Sequence, residues 1–586
     1  MRKCLAILFL LCLAVATMAA EPVRPNLVVI LVDDAGFMDF GGYGGEARTP
    51  NINQLGAAGV RFSNYHTSPL CAPSRAMLLT GIDNHLTGMA TIPEVLAADQ
   101  RGLAGYSMEL LPSVETVAER LRREGYRTYM TGKWHLGSSA RALPGAQGFD
   151  QSFALDASGA DNFEQKSYMP YYETAPWFEN DQPAQLPEDF YSSEFIVDKM
   201  IDYLETTPDG QPYFAYLAFQ AIHIPIQVPR AFTDGYNGVY DAGWDALRIS
   251  RWEKAKALGL IDPRAPQPEL PESLRRWETL TDEDKALYAR SMQVNAGMLE
   301  AMDFHIGRLL DFLRRTGRFD NTLFVITSDN GPEFNDLSGS ALMDLWMSRN
   351  GYSRELATLG ERGSMAFIGS EWAAAASSPG SLFKFFATEG GLRVPLIVAG
   401  PGVEGGRFSP AFSLVTDIAP TLLQAAGASA TPVPEKTAIT GRSLVPLLEG
   451  LTERVYQEHE PVALEVSGNA ALYKGDRKLR RVTQPYGDGR WRLFDARLDP
   501  AEVNDLAAEE PQRFQELLAD YASYAQRMGV VEMPADFDVV AQVTANTAMR
   551  QLQFFRSQLL VLGFGAVVLL LGSALVIRQR RYARRT

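Results

Sequence analysis

The chain has 586 residues, of which 46% are hydrophobic and 21% charged, and its formal net charge at pH 7 is −15. A chain of this length can bury a large core, and its acidic balance argues against binding to nucleic acids, which are polyanions. Because it has only three cysteines, a dense disulfide framework is excluded and the core must stabilise the fold.

Residues 1–20 have the features of a secretory signal peptide. Arg2 and Lys3 precede an apolar stretch, and small residues follow it up to Ala20. Removal of this segment leaves Cys71 as the only cysteine. In an exported protein an unpaired thiol is open to oxidation, so Cys71 calls for a function; the alternative is a small buried residue that packs like any hydrophobic side chain.

Apolar runs that end in polar residues predict the sheet of the main domain. They are Leu27 to Val32, Tyr213 to Ile222 and Leu323 to Ile326. Such runs are typical of strands buried on both faces of a mostly parallel sheet, and helical patterns at Ser113 to Glu124 and Met292 to Arg315 lie between them. We therefore predict a three-layer α/β/α domain over residues 21–460, with its ligand site beyond the carboxyl ends of the strands.

The pattern changes after residue 460. Short strand-like pieces and a helical pattern predict a small α+β subdomain with an antiparallel sheet at residues 461–532, followed by a linker at 533–557. A charge-free apolar run then predicts a transmembrane helix at 558–578, and the basic tail 579–586 predicts a cytoplasmic C-terminus. We expect a single-pass protein on the periplasmic face of the membrane, tethered by this helix.

Acidic and amide side chains follow two of the predicted strands. Asp33 and Asp34 come after the first run, and Asp329 and Asn330 come after the last. Oxygen ligands of this kind suit a hard cation such as Ca²⁺ or Mg²⁺. Taken alone, the Asp33-Asp34 pair could equally cap a helix.

Cys71 opens the run Cys71-Ala72-Pro73-Ser74-Arg75, which resembles the signature of the formylglycine-dependent sulfatases. Further segments similar to this family follow in the family's order: Asp33 to Phe37, Gly132 to Gly137, Asp329 to Gly331 and Glu389 to Pro395. The resemblance spans roughly residues 26 to 505, is closest to the bacterial arylsulfatases, and implies the alkaline-phosphatase-like fold.

The resemblance also implies roles for individual residues. Asp33, Asp34, Asp329, Asn330 and the modified Cys71 match the ligands of a calcium ion, with Mg²⁺ as the less favoured cation. Arg75 matches the arginine that orients the formylglycine, Lys133 and His135 match the pair beside the nucleophile, and His223 and Lys384 match the pair that binds sulfate and assists the leaving oxygen. His223 lies in Ala221-Ile222-His223-Ile224-Pro225, where the family often has Pro-His-x-Pro.

The implied reaction converts a sulfate monoester to an alcohol or phenol and inorganic sulfate. One hydroxyl of the hydrated formylglycine attacks sulfur, a base such as His135 takes a proton from the other hydroxyl, and sulfate leaves as the aldehyde returns. A formylglycine-generating or maturase enzyme would be a partner during biosynthesis. Two alternatives remain: a phosphate or phosphonate ester hydrolase of the same superfamily, and an unmodified, inactive carbohydrate-binding homologue.

Overall fold

The computed structural model describes residues 24–556. Its strands are β1 (Asn26–Val32), β2 (Val60–Phe62), β3 (Tyr65–His66), β4 (Arg127–Lys133), β5 (Gln151–Leu155), β6 (Trp177–Glu179), β7 (Gln182–Pro183), β8 (Tyr213–Ala218), β9 (Thr322–Ser328), β10 (Leu396–Ala399), β11 (Arg407–Ser409), β12 (Ser413–Leu414), β13 (Val462–Val466), β14 (Asn469–Lys474), β15 (Arg477–Arg481) and β16 (Trp491–Asp495). Its α-helices are α1 (Pro50–Ala58), α2 (Cys71–Thr80), α3 (Asn84–Thr87), α4 (Val117–Arg123), α5 (Ser192–Glu205), α6 (Gly243–Ala257), α7 (Asp282–Arg315), α8 (Ala341–Arg349), α9 (Gly369–Ala376), α10 (Glu389–Leu392), α11 (Ile418–Ala425), α12 (Val445–Leu448) and α13 (Pro511–Met528), and a further helix runs through residues 539–556.

The main sheet has ten strands in the order β11-β2-β10-β9-β1-β8-β4-β5-β6-β7. The centre, from β9 to β5, is parallel. Beyond it β10 pairs antiparallel with β9 and β2, and β6 pairs antiparallel with β5 and β7. The sheet is therefore mixed, and the prediction of a mostly parallel sheet holds for its centre, where the site lies.

The central strands are buried along their whole length. Every residue of β1, β8 and β9 is buried, so both faces of the sheet are covered. Helix α5 contacts β4 and β8 and packs on α7, and helix α4 contacts β4 and packs on α2 and α11. The predicted α/β domain is therefore confirmed. Continuous runs of Val, Ile and Leu form strands that are buried on both faces of the sheet.

The observed bounds of two elements differ from the predicted ones. The strand β8 ends at Ala218, before the end of the predicted run at Ile222, and α7 begins ten residues earlier than Met292, at Asp282. The early start of α7 is explained by its cap, since the Thr281 hydroxyl accepts a hydrogen bond from the Asp284 amide at 3.1 Å. The cap thus stabilises the first turns of α7, which are polar and give no apolar pattern in the sequence.

The smaller subdomain has the predicted antiparallel sheet, β13-β14-β15-β16. Helix α13 packs on it through a separate apolar cluster that includes Leu472, Leu479, Leu493 and Leu517. Leucines from the sheet and from the helix together exclude water from this second, smaller core.

The prediction of a transmembrane helix is corrected. No helix within residues 24–556 combines the length and the apolar character needed to cross a membrane. The longest, α7, carries charged residues from its first turn to its last. The predicted segment 558–578, the basic tail 579–586 and the signal peptide 1–20 lie outside the described residues. The single-pass location with a cytoplasmic C-terminus depended on that helix, and we withdraw it.

Candidate active site

The four predicted oxygen ligands lie at one edge of the sheet. Strands β1 and β9 are parallel neighbours, with Val32 opposite Ser328, so the residues that follow each strand emerge side by side. The two loops are tied together, because the Ala35 amide donates a hydrogen bond to the Ser328 hydroxyl at 2.8 Å. Sequence segments about 300 positions apart thereby form one site.

Cys71 faces these ligands from the first residue of helix α2. Its Sγ lies 3.7 Å from Asp33 Oδ1 and 4.0 Å from Asp34 Oδ1. The side chain is buried, and burial raises the pKa of the thiol well above its usual value. The thiol is therefore protonated and unsuited to act as a thiolate nucleophile.

The carboxylates fit a cation. Single oxygen atoms of Asp33, Asp34 and Asp329 and the sulfur of Cys71 all lie within 4.8 Å of one another. Asn330 Oδ1 is buried beside them and has no hydrogen-bond partner among the described residues, whereas Asn330 Nδ2 donates to Asp34 at 2.5 Å. An unpartnered amide oxygen among carboxylates matches the oxygen ligands of a hard divalent cation.

The pKa values of the carboxyl groups agree with this interpretation. Burial raises the pKa of Asp33 to about 6, against the opposing effect of Lys133. Burial also raises the pKa of Asp34 well above its usual range, although Lys384 lowers it. For Asp329 burial is outweighed, chiefly by Arg75, and its pKa falls. Burial thus makes the charged forms of Asp33 and Asp34 more costly than in water, and a further positive charge in the site would stabilise them.

Three cations surround the acidic residues. Arg75 donates to Asp329 from Nη2 at 2.7 Å and from Nε at 2.9 Å. Lys133 Nζ lies 2.6 Å from Asp33, and Lys384 Nζ lies 2.9 Å from Asp34. Burial lowers the pKa of Lys384, but Asp34 outweighs this, so the net shift is well upward and the ammonium stays charged.

Backbone geometry places Lys133 at the end of β4. Gly132 has φ +102°, and a Cβ on it would lie 1.9 Å from the carbonyl oxygen of Ala218 on the next strand. Only glycine can occupy this position. Asp34 and His135 also have positive φ values, 68° and 58°, which are uncommon for residues with a side chain and tend to occur at functional sites.

His135 and His223 lie in the same buried region. Neither ring nitrogen of His135 has a hydrogen-bond partner among the described residues, and burial followed by Lys133 lowers its pKa well below the usual value. His223 Nδ1 donates to the carbonyl oxygen of Ile224 at 2.6 Å, which leaves Nε2 3.7 Å from Asp34. Its pKa is also lowered, by burial and then by Lys384. Both imidazoles are therefore neutral at neutral pH.

The structure thus brings every sequence-predicted site residue together, and it adds one that the sequence analysis missed. Glu333 Oε2 lies 2.8 Å from Lys384 Nζ and 3.6 Å from His223 Nε2, and its side chain is buried. The signal was its place four positions after Asp329, in the loop that leaves β9. Lys384 Nζ thus lies between Glu333 and Asp34, whose carboxylates come within 4.8 Å of each other.

Comparisons with known proteins agree with this geometry. The family model described as Sulfatase matches residues 25–428. An uncharacterised sulfatase of Schizosaccharomyces pombe is 35% identical over 88% of this chain and 96% of its own, and an arylsulfatase of Klebsiella aerogenes is 36% identical over 73% of this chain and 92% of its own. A sulfatase structure from Pseudoalteromonas superposes with a TM-score of 0.56 at 20% identity, covering 87% of this chain and 92% of the other, and supports the fold. The chain belongs to the sulfatase family and is a hydrolase of sulfate esters.

Proposed function

We propose that this sulfatase cleaves a sulfate monoester by means of a formylglycine made from Cys71 and a calcium ion held by Asp33, Asp34, Asp329 and Asn330. One observation carries the proposal: Cys71 Sγ lies within 4.0 Å of two carboxylates in a buried site that also holds an unpartnered amide oxygen. Neutral packing of a small side chain does not need charged neighbours of this kind.

The cation and the hydrated aldehyde would together supply an oxygen nucleophile whose charge is compensated in the site. The chain itself provides the positive charge for the sulfate group. Arg75, Lys133 and Lys384 are fixed by carboxylates before any substrate enters, so they need not reorganise when charge develops on the ester oxygen.

The two histidines differ from Lys384 in what they can do with a proton. His223 is neutral and its Nδ1 carries the proton donated to Ile224, so its Nε2 is an acceptor. His135 is neutral with neither nitrogen engaged, so it can take a proton from a nearby hydroxyl. Lys384 is the charged donor of the group, and we assign to it the stabilisation of the departing oxygen.

Metal analysis tests the ligand assignment. The purified chain should contain calcium at one equivalent, and Asp34→Ala should lose both the metal and turnover because it removes a central ligand. Asp282→Ala, at the exposed start of α7, is the matched control and should keep both. Stoichiometric zinc without calcium would contradict the ligand assignment.

Substrate preference tests the chemistry. A sulfate monoester carries one formal negative charge and a phosphate monoester up to two, so a site with one cation and three basic residues should favour the sulfate. We expect kcat/KM for an aryl sulfate to exceed that for the matched aryl phosphate by ~100-fold, or roughly 2.7 kcal/mol. Preference for the phosphate would instead support the phosphate ester hydrolase.

A further inference from the structure

A cavity of about 530 Å³ opens onto His135. Its wall includes residues of the loop after β4, the aromatic pair Tyr171 and Tyr172, and two residues of the helix 539–556, Arg550 and Phe554. A volume of this size can hold the organic part of a small-molecule ester. The helix lies beyond residues 25–428, the part of the chain matched by the family model.

The helix is fixed at this place by specific contacts. Asn546 is 4% exposed; its Nδ2 donates to the carbonyl oxygens of Glu94 at 2.9 Å and Leu96 at 3.0 Å. Its Oδ1 accepts a hydrogen bond from Arg101 at 3.0 Å. One turn later Gln551 donates to the carbonyl oxygen of Pro170, next to the aromatic pair. Leaving the buried side-chain amide of Asn546 without hydrogen-bond partners would cost free energy, so these contacts hold the helix against the cavity.

The guanidinium of Arg550 lines the cavity and can bind an acidic group of a ligand. It lies 6.0 Å from the ring of Tyr171 and 5.1 Å from the ring of Phe554. Among residues 24–556 it has no carboxylate within ion-pair distance and donates no hydrogen bond to the protein. A guanidinium held over aromatic rings keeps its planar set of N–H donors for an acceptor on a ligand.

Two of the three carboxylates that line the cavity have partners within the protein. Glu109 pairs with Arg141, and Asp156 accepts a hydrogen bond from the Gly137 amide at 3.1 Å. Glu173 is exposed and also lines the cavity. Arg550 is thus the one cation among the lining residues, and it faces aromatic rather than acidic neighbours.

We propose that Arg550 and Phe554 form the outer wall of the substrate site and select esters whose organic part is a ring carrying an acidic group. Phe554 and Tyr171 contact the ring, and Arg550 binds the acidic group. This inference rests on the proposed function of the same site. It makes the helix 539–556 part of the specificity of the enzyme.

The test compares 2-naphthyl sulfate with 6-carboxy-2-naphthyl sulfate. The unaltered chain should have a KM ~5-fold lower for the carboxylated ester, as expected of a partly exposed ion pair. Arg550→Ala should remove this difference with kcat for each ester within about 2-fold, and Arg550→Lys should restore part of it. Ratios of variant to unaltered chain cancel the different reactivity of the two leaving groups.

Matched variants separate local from general effects. Arg556→Ala removes the same charge from the same helix at a position that does not line the cavity and should leave the preference intact. Phe554→Ala should raise KM for both esters alike. Glu173→Gln should increase the preference for the carboxylated ester, because it removes a negative charge that repels the carboxylate of the ester. Equal KM values in the unaltered chain, or equal effects of Arg550→Ala and Arg556→Ala, would overturn the proposal.

Equilibrium binding distinguishes this proposal from the proposed function. In the Cys71→Ala chain, calorimetric titration with the two esters measures affinity without turnover. The same ~5-fold preference should appear there and disappear in the double variant with Arg550→Ala. If the Cys71→Ala chain prefers the carboxylated ester but the unaltered chain shows no turnover, the proposed reaction is contradicted and the role of Arg550 in selection is supported. If the unaltered chain turns over both esters but no binding preference appears, the proposed reaction is supported and the role of Arg550 is contradicted.

Discussion

Two of the clusters of buried ionisable residues within residues 24–556 differ in how burial and charge act on their carboxyl groups: the pKa values of Asp33 and Asp34 are raised in one, and that of Glu389 is lowered in the other. The active-site cluster is at the carboxyl ends of β1, β4 and β9, and the interface cluster joins the main domain to the C-terminal subdomain. Members of the active-site cluster are Asp33, Asp34, Asp329, Arg75, Lys133 and Lys384. Members of the interface cluster are His66, Glu389, Tyr473, Lys478, Arg480 and Glu502.

In the interface cluster, acids and bases match. Glu389 accepts hydrogen bonds from Tyr473 at 2.6 Å and Lys478 at 2.8 Å, and it contacts His66 Nε2 at 3.1 Å. Burial raises the pKa of Glu389, but Lys478 and His66 outweigh burial, and the net shift is well downward. The folded protein holds this carboxylate in its charged form.

In the active-site cluster, burial outweighs the basic partners of two of the three aspartates. The pKa of Asp33 is raised to about 6 and that of Asp34 is raised well above its usual range, in spite of Lys133 and Lys384. The difference teaches how to separate a structural network from a reactive one. A cluster in which two carboxyl groups keep raised pKa values in spite of their basic neighbours would be stabilised by a further cation.

The largest expected effect contrasts two buried histidines. His135→Gln should lower kcat by ~10²- to 10⁴-fold, because it removes a proton acceptor, and should change the free energy of unfolding little, because neither ring nitrogen has a partner among the described residues. His66→Gln should keep kcat within a few-fold and lower the free energy of unfolding by ~1–3 kcal/mol, because Glu389 loses a contact. Steady-state kinetics and chemical denaturation measure both; the reverse outcome would remove the distinction between the clusters.

The second prediction neutralises one carboxylate in each cluster. Glu389→Gln should destabilise the protein by ~3–5 kcal/mol, because it leaves the buried Lys478 with fewer partners. Asp34→Asn should leave the stability of the metal-free protein within about 1 kcal/mol, because the substitution removes a charge that burial disfavours and Lys384 keeps Glu333 as a partner. Denaturation in the presence of a chelator is the measurement. A loss in Asp34→Asn as large as in Glu389→Gln would contradict the comparison.

The third prediction concerns pH and a second residue at the domain interface. His85 lies between Asp83 at 3.2 Å and Glu465 at 2.8 Å. Burial lowers its pKa, but hydrogen bonds to Asp83 and Glu465 outweigh burial and raise it to about 9. Because the folded pKa exceeds the ordinary value of 6.5, the stabilisation is complete below pH 6.5 and is lost as pH rises through about 9.

The expected size of that stabilisation is on the order of 3 kcal/mol. The free energy of unfolding of His85→Gln should therefore fall furthest below that of the unaltered chain under mildly acidic conditions, and the two should converge above pH 9. Denaturation curves across this range measure the difference. A gap that does not depend on pH would mean that His85 acts through packing alone.

The sequence predicts the central part of this architecture because the same residues determine local structure and burial. As a strand, the run from Leu27 to Val32 has apolar side chains on both faces, so it is predicted in the interior of a sheet covered on both sides. In the structure β1 is buried throughout. The flanks of the sheet were not predictable in this way. Strands such as β2 and β11 have only three residues each and owe their pairing to neighbours distant in sequence.

The site divides along the same line. Residues within recognisable motifs, such as Asp33 and Cys71, could be named from the sequence. Glu333 was missed because its position after Asp329 is a weak signal, and the fold is what brings its partner Lys384 to it. The segment predicted as a linker contains the helix 539–556, whose position depends on the contacts of Asn546 with carbonyl oxygens more than 400 positions away. The transmembrane prediction relied on the length of the apolar run and on the basic residues after it, and it is not supported by the helices within residues 24–556.

The most direct test of the central claim is the mass of the proteolytic peptide that contains Cys71, taken from a preparation whose sulfate release has been measured. The account predicts formylglycine at position 71 in a proportion that follows activity, and no sulfate release from Cys71→Ala. A fully active preparation in which position 71 is entirely an unmodified thiol would contradict it.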